Sequence, residues 1–80
     1  NQPNPFKDFT NISFELAEAA NTSIKVMDVT GKVVYTHVST YEKGYHTLTL
    51  SNAHFTGKGV YYYQINAGEF TATKKMILIE

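Results

Sequence analysis

The sequence contains no cysteine, no tryptophan and no arginine, and only two prolines. Without cysteine there are no disulfides, no zinc–thiolate sites and no thiol chemistry. A chain of 80 residues must then hold itself together with a compact apolar core. At that length it buries roughly 60–65% of the surface its unfolded form exposes. With arginine absent, the cations are the lysines at 7, 25, 32, 43, 58, 74 and 75, and they balance seven carboxylates to a formal net charge of zero. A nucleic-acid binder needs a basic surplus and usually arginine forks, so no nucleic-acid partner is expected. A polybasic membrane-surface segment is excluded on the same ground. The longest aliphatic run, Met76 to Ile79, is far short of a membrane span. The amino end carries no charged-then-apolar leader.

What is present is a period of two. Ile12, Phe14 and Leu16 alternate with Ser13 and Glu15, Ile24 and Val26 flank Lys25, and Leu48 and Leu50 alternate with Thr47 and Thr49. Alternation of this kind gives one buried and one wet face. Leu16 to Ala20 has helical composition but is too short to stand alone. Thr30-Gly31-Lys32 and Ala67-Gly68-Glu69 read as hairpin turns, and Gly44 and Thr56-Gly57-Lys58-Gly59 end polar loops. The spacing predicts strands over 10–17, 22–29, 33–40, 45–51, 59–66 and 70–79, with 3–6, held by Pro3 and Pro5, as an optional seventh at an edge.

Six to seven short strands with short links indicate an all-β fold. The expectation is a small antiparallel β-sandwich of the immunoglobulin or fibronectin-III kind, with a small barrel as the alternative. The expected core is Ile12, Phe14, Leu16, Ile24, Val26, Val34, Leu48, Leu50, Tyr61, Tyr63, Ile65, Met76 and Leu78. Met27 and Val29 break the parity of their strand, which implies a bulge or coverage of both faces.

Chemistry is sparse. His37, His46 and His54 are nine and eight residues apart, which matches no compact metal-ligand pattern, although His37 and His46 can meet if their strands are neighbours. Asp8 and Asp28 lack the density of a calcium loop. Serines 13, 23, 39 and 51 have no nucleophile-elbow context. Gly57 and Gly59 are too few to cradle a phosphate. The expectation is therefore no catalytic residue, no metal and no cofactor, hence no enzyme. Tyr61-Tyr62-Tyr63 sends Tyr62 to the opposite face from its neighbours. If Tyr62 lies outside beside Tyr35 or Phe70, an aromatic strip results that can stack on sugar rings. That is the basis of the alternative function, a non-catalytic extracellular binding module for carbohydrate or for domain packing.

Lys74-Lys75 precedes Met76-Ile77-Leu78-Ile79-Glu80. Structurally this is a last strand with one wet and one partly covered lysine. A terminal strand also offers an edge and a carboxylate that receptors can grip. An exposed edge of that kind also allows a weak homodimer.

Several segments together resemble a known family. They are Pro3-Asn4-Pro5-Phe6, Thr10 to Leu16, Ile24 to Val34 with Asp28-Val29-Thr30-Gly31, Gly44-Tyr45-His46, Gly59 to Ile65 with Gly68, and Thr73-Lys74-Lys75-Met76-Ile77-Leu78. In order, spacing and extent they resemble the type A carboxy-terminal sorting domain of the type IX (Por) secretion system of Bacteroidetes. The pieces have plain physical roles. The proline-rich start docks Phe6 as an apolar plug, and Asp28 caps the turn at Thr30-Gly31.

The resemblance implies that residues 1–80 are a single sorting domain at the tail of a longer secreted precursor, covalently linked to an N-terminal cargo domain. It implies folding in the periplasm of a Gram-negative bacterium and passage through an outer-membrane translocon. An outer-membrane shuttle barrel then receives the cargo, and a surface sortase cleaves ahead of the domain and attaches the cargo to anionic lipopolysaccharide or releases it. The expected recognition residues are Lys74, Lys75, Met76, Ile77, Leu78, Ile79 and Glu80, with Gly59 and Gly68 holding that strand in shape.

Overall fold

A computed structural model describes residues 1–79. Its strands are β1 (Phe9–Leu16), β2 (Ala20–Asp28), β3 (Val33–Tyr41), β4 (Gly44–Ser51), β5 (Gly59–Ala67) and β6 (Phe70–Leu78), with one 3₁₀ turn at Asn52–His54. All six predicted strands are present, with ends shifted by one or two residues. The helical composition of Leu16 to Ala20 yields to tertiary pairing: Leu16 ends β1, Ala20 begins β2, and the link between them is a bend. Such local propensity is decided by what the flanking residues can bury.

The strands form two antiparallel sheets, one ordered β1-β4 and the other β3-β2-β5-β6. This is the sandwich rather than the barrel. Thr10, Ile12, Phe14 and Leu16 face inward from β1, and Tyr61, Tyr63, Ile65 and Ala67 face inward from β5. The parity break in β2 is a register shift between Val26 and Met27, at the point where the sequence pattern first fails.

The core differs from expectation at its rim. Val34 and Leu48 are half-buried and pack against the core from outside. Phe55 and Ala67 are buried instead, together with Thr10 and Thr22. The hydroxyl of Thr10 donates to the Pro3 carbonyl at 2.8 Å, and that of Thr22 to the Ala20 carbonyl at 3.2 Å, so neither carries an orphan donor. Phe55 completes a ladder of rings, 5.1 Å from Phe6 and 4.9 Å from Tyr61, that fills the end of the sandwich where the two-stranded sheet runs out.

The segment 3–6 is not a seventh strand. It is a strap between the sheets, with isolated bridges at Gln2–Asn11 and Phe6–Leu78. Gln2 exchanges two backbone bonds with Asn11 on β1, at 3.0 and 2.7 Å. Phe6, fully buried as the expected plug, exchanges two with β6: its N–H donates to the Ile77 carbonyl and its carbonyl accepts from Ile79, both at 2.9 Å. Prolines at 3 and 5 remove the donors that would let the strap pair as a regular strand.

Asp28 holds the β2–β3 hairpin as its position implies. One carboxylate oxygen accepts from the Thr30 N–H (2.9 Å), the Thr30 hydroxyl (2.6 Å) and the Lys32 N–H (3.1 Å). The turn closes through Gly31, whose φ of 88° suits glycine.

Candidate functional site

The geometry of β6 follows from its place as the last strand of the larger sheet. It pairs along its whole length with β5, from Gly59 opposite Leu78 to Ala67 opposite Phe70. Gly59 and Gly68 stand at the two ends of that ladder with φ of 144° and 61°. Met76 and Leu78 point into the core and are fully buried, which makes them anchors of the strand. Ile77 is half-buried on the opposite face, and Ile79 is half-exposed. Lys74 and Lys75 are both exposed, on opposite faces of the sheet edge, rather than one wet and one covered. Glu80 lies outside the described residues.

The outer edge of β6 is dressed by the strap. Besides the two Phe6 backbone bonds, the Asn4 side chain accepts from the Ile77 N–H through Oδ1 (2.9 Å) and donates through Nδ2 to the Lys75 carbonyl (3.2 Å). A carboxamide carries the same donor and acceptor as a peptide group, so Asn4 extends the pairing by one step where the strap backbone, interrupted by prolines, cannot. The sequence reading placed the interest of this segment in Phe6 and missed Asn4. The available signal was an asparagine held between two prolines.

The remaining candidate side chains are held apart. His37 and His46 do not meet on neighbouring strands, because β3 and β4 belong to different sheets and do not pair. Tyr41 stands between them. Its hydroxyl is 2.8 Å from Nε2 of His37, and its ring centroid is 4.7 Å from that of His46. The His46 Nε2 donates to the Glu42 carbonyl at 2.7 Å. The His54 Nδ1 accepts from the Ser51 N–H at 3.1 Å, and its ring packs against Tyr35 at 4.5 Å. All three histidines therefore line the seam where the two sheets are not joined. No group of three or more metal-ligating side chains occurs among the described residues.

The aromatic strip is absent from the described surface. Tyr62 lies between Met27 and Lys75, Tyr35 packs against His54, and Phe70 sits opposite Ala67 at the far end of the sheet. Tyr45, the most exposed aromatic, is on the other sheet. Burial pushes the Tyr63 phenol above its ordinary titration range, as expected of a core tyrosine. A concavity of about 540 Å³ opens at the β5–β6 hairpin, lined by Leu16, Ala20, Ala67 and Phe70 with Glu15, Glu18 and Glu69 at its rim. These are carboxylates beside apolar groups, with no basic or nucleophilic side chain among the lining residues.

No curated protein and no solved structure matches the chain. The secretion system C-terminal sorting domain family, the Por secretion tail, matches residues 2–80, from the strap through the terminal strand. That match spans nearly the whole sandwich, and the sorting signals it describes direct export through the type IX system to the cell surface or beyond. A chain so matched, with β6 as its last strand and a strap clasping that strand's edge, belongs to the type IX secretion system C-terminal sorting domain family.

Proposed function

We propose that this domain is read as a folded shape. It carries an N-terminally linked cargo from the periplasm through the translocon, an outer-membrane shuttle barrel receives it, and a surface sortase cleaves ahead of it and attaches or releases the cargo. The domain is the substrate of that enzyme and contributes no reacting group. Recognition rests on β6. Lys74, Lys75, Ile77 and Ile79 supply the readable surface together with Glu80, Met76 and Leu78 anchor the strand, and Gly59 and Gly68 hold its ends.

The observation that carries this reading is the exposure of both lysines on a strand otherwise fixed by buried side chains. An exposed lysine pair contributes little to stability, so its substitution separates recognition from folding. The experiment fuses residues 1–80 to an unrelated reporter bearing a signal peptide, in a bacterium that carries the type IX system. The parent fusion reaches the surface. Lys74→Ala/Lys75→Ala keeps its thermal midpoint and leaves the reporter in the periplasm. Surface display of that variant at the parental level would overturn the assignment to β6.

A further inference from the structure

The following rests on the reading of β6 as the recognised strand. We propose that the receiving protein reads β6 by adding an extended strand of its own, bearing carboxylate side chains, to the open half of the outer edge between Thr71 and Lys75, and that the strap fixes where the added strand stops.

In an antiparallel pair, residues alternate between those that exchange both backbone bonds with their partner and those whose groups point away. Both backbone groups of Ile77 point away from β5, since its carbonyl accepts from Phe6 and its N–H donates to Asn4. By the same parity Lys75, Thr73 and Thr71 present their peptide groups outward. The strap covers this row only as far as the Lys75 carbonyl, because the chain beyond Asn4 turns across to Asn11 on β1. Upstream of that carbonyl the row has no backbone partner among the described residues. An extended segment of this same chain, seated on the lower half through Phe6, shows that the edge accepts one. Strand addition is a general mode of peptide recognition, with backbone bonds giving affinity and alternate side chains giving specificity.

Charge selects the occupant. Lys74 and Lys75 are exposed on opposite faces and have no ion-pair partner among the described residues. A strand added beside them places its alternate side chains next to both lysines, so carboxylates on either face are matched. A second copy fits poorly, because self-pairing crowds the lysine pairs of both copies onto one short ladder. The other outer strand of this sheet, β3, carries no charged residue with which to discriminate.

Proline at position 73 tests this. Thr73 faces Gln64 in a pair whose backbone groups point away from each other, so Thr73→Pro removes only an outward donor and leaves the β5 ladder whole. Thr73→Val keeps that donor and serves as the control. In the reporter fusion, Thr73→Pro is expected to keep a cooperative thermal transition and to lower surface display at least about tenfold, the effect of one lost bond that leaves its partner buried and unpaired. Thr73→Val is expected to match the parent. Lys74→Glu/Lys75→Glu is expected to abolish display. If Thr73→Pro does not fold, Thr71→Pro probes the same row.

A folded proline variant displayed like the parent, while Lys74→Ala/Lys75→Ala fails, overturns strand addition and leaves the assignment to β6 standing. Parental display by both removes the assignment itself. A concentration-dependent dimer of the purified domain, abolished by Thr73→Pro, makes a second copy the occupant and overturns the carboxylate-bearing partner.

Discussion

The carboxamide of Asn4 occupies the position beside Ile77 that a neighbouring strand's peptide group would take. It accepts the Ile77 N–H at 2.9 Å and donates to the carbonyl of Lys75 at 3.2 Å. An edge strand left bare is a template for pairing with other chains. Here half of that edge is closed by a side chain and a buried phenylalanine contributed from more than seventy residues earlier in the chain. The ends of the described chain are thereby tied to each other, and the state of the terminal strand depends on the integrity of the first few residues.

Asn4→Ala removes both bonds and should lower stability by about 1 kcal/mol, because the freed groups reach water and only the net value of the bonds is lost. Asn4→Asp should be worse at neutral pH. Its carboxylate still accepts from Ile77, but it sets an oxygen against the Lys75 carbonyl, where a donor is needed. Thermal midpoints give the ranking. Amide exchange at Ile77 gives the location: its protection should drop in Asn4→Ala, where the acceptor is gone, while that of Ile24 in the central strand stays unchanged. Equal protection of Ile77 in parent and Asn4→Ala would show that the strap does not guard the edge.

The core makes a larger demand. Phe6, Phe14 and Tyr61 are each buried, and Phe14 meets Tyr41 edge-on at 5.1 Å. Truncating any of them to alanine should cost roughly 3–5 kcal/mol, much of the ~5–15 kcal/mol that a domain possesses. Tyr61→Phe removes only the polar contacts of the hydroxyl, the 2.5 Å bond it donates to the Gly57 carbonyl and the 3.2 Å bond it shares with the Thr56 hydroxyl, and should cost about 1–2 kcal/mol. Denaturant unfolding measures both. If export is read from the folded shape, as proposed, the alanine variants should also fail to be displayed. Normal display of a demonstrably unfolded tail would show that a linear motif is read instead.

Much of this architecture was legible in the residues because its causes are local. Alternation in β1 and β2 set the buried face, and Asp28 two residues before Thr30 announced its own hairpin. Three things were not legible, and each depends on partners distant in sequence. Phe55 sits in a polar window and is buried only because Phe6 and Tyr61 converge on it. The separation of His37 from His46 depends on β3 and β4 joining different sheets, which a short link does not reveal. Asn4 acts through the backbone of β6, and no periodicity encodes a side chain that imitates a peptide group. Of the candidate site, the buried anchors Met76 and Leu78 followed from strand parity, whereas parity left one lysine partly covered, and the exposure of both, like the half-covered edge, required the fold.

The hairpin at Asp28 yields a pH dependence of defined sign. The bond from the Thr30 hydroxyl is the largest influence holding the Asp28 carboxyl below the ordinary aspartate value of 3.8. Desolvation is the next largest influence and opposes it, while the Thr30 and Lys32 N–H groups and the charge of Lys32 add to the lowering. The folded state therefore binds this proton more weakly than the unfolded chain does. Its stabilising contribution is complete above the unfolded value and disappears as pH falls through the lower folded value. Asp28→Asn should melt earlier than the parent by a constant margin from about pH 5 to 8. The margin should narrow below about pH 4, where the parent loses its charge. A margin that stays constant through the acid range would mean that the charge of Asp28 does not matter to the turn.

Gly59 and Gly68 bracket β6, and substitution can separate holding the strand from being read. The φ of 61° at Gly68 lies in the left-handed region that asparagine visits readily and alanine at a cost of roughly 1–2 kcal/mol. The φ of 144° at Gly59 lies beyond that region, where any side chain is strained, although open space surrounds the position. Gly68→Asn should fold and be displayed like the parent, Gly68→Ala should be less stable, and Gly59→Asn should be destabilised despite carrying the same residue. If both glycines act only through the backbone, display must follow the thermal midpoint across all three variants. A stable Gly68→Asn that is not displayed would break that correspondence and place the hairpin tip among the surfaces that the secretion machinery touches.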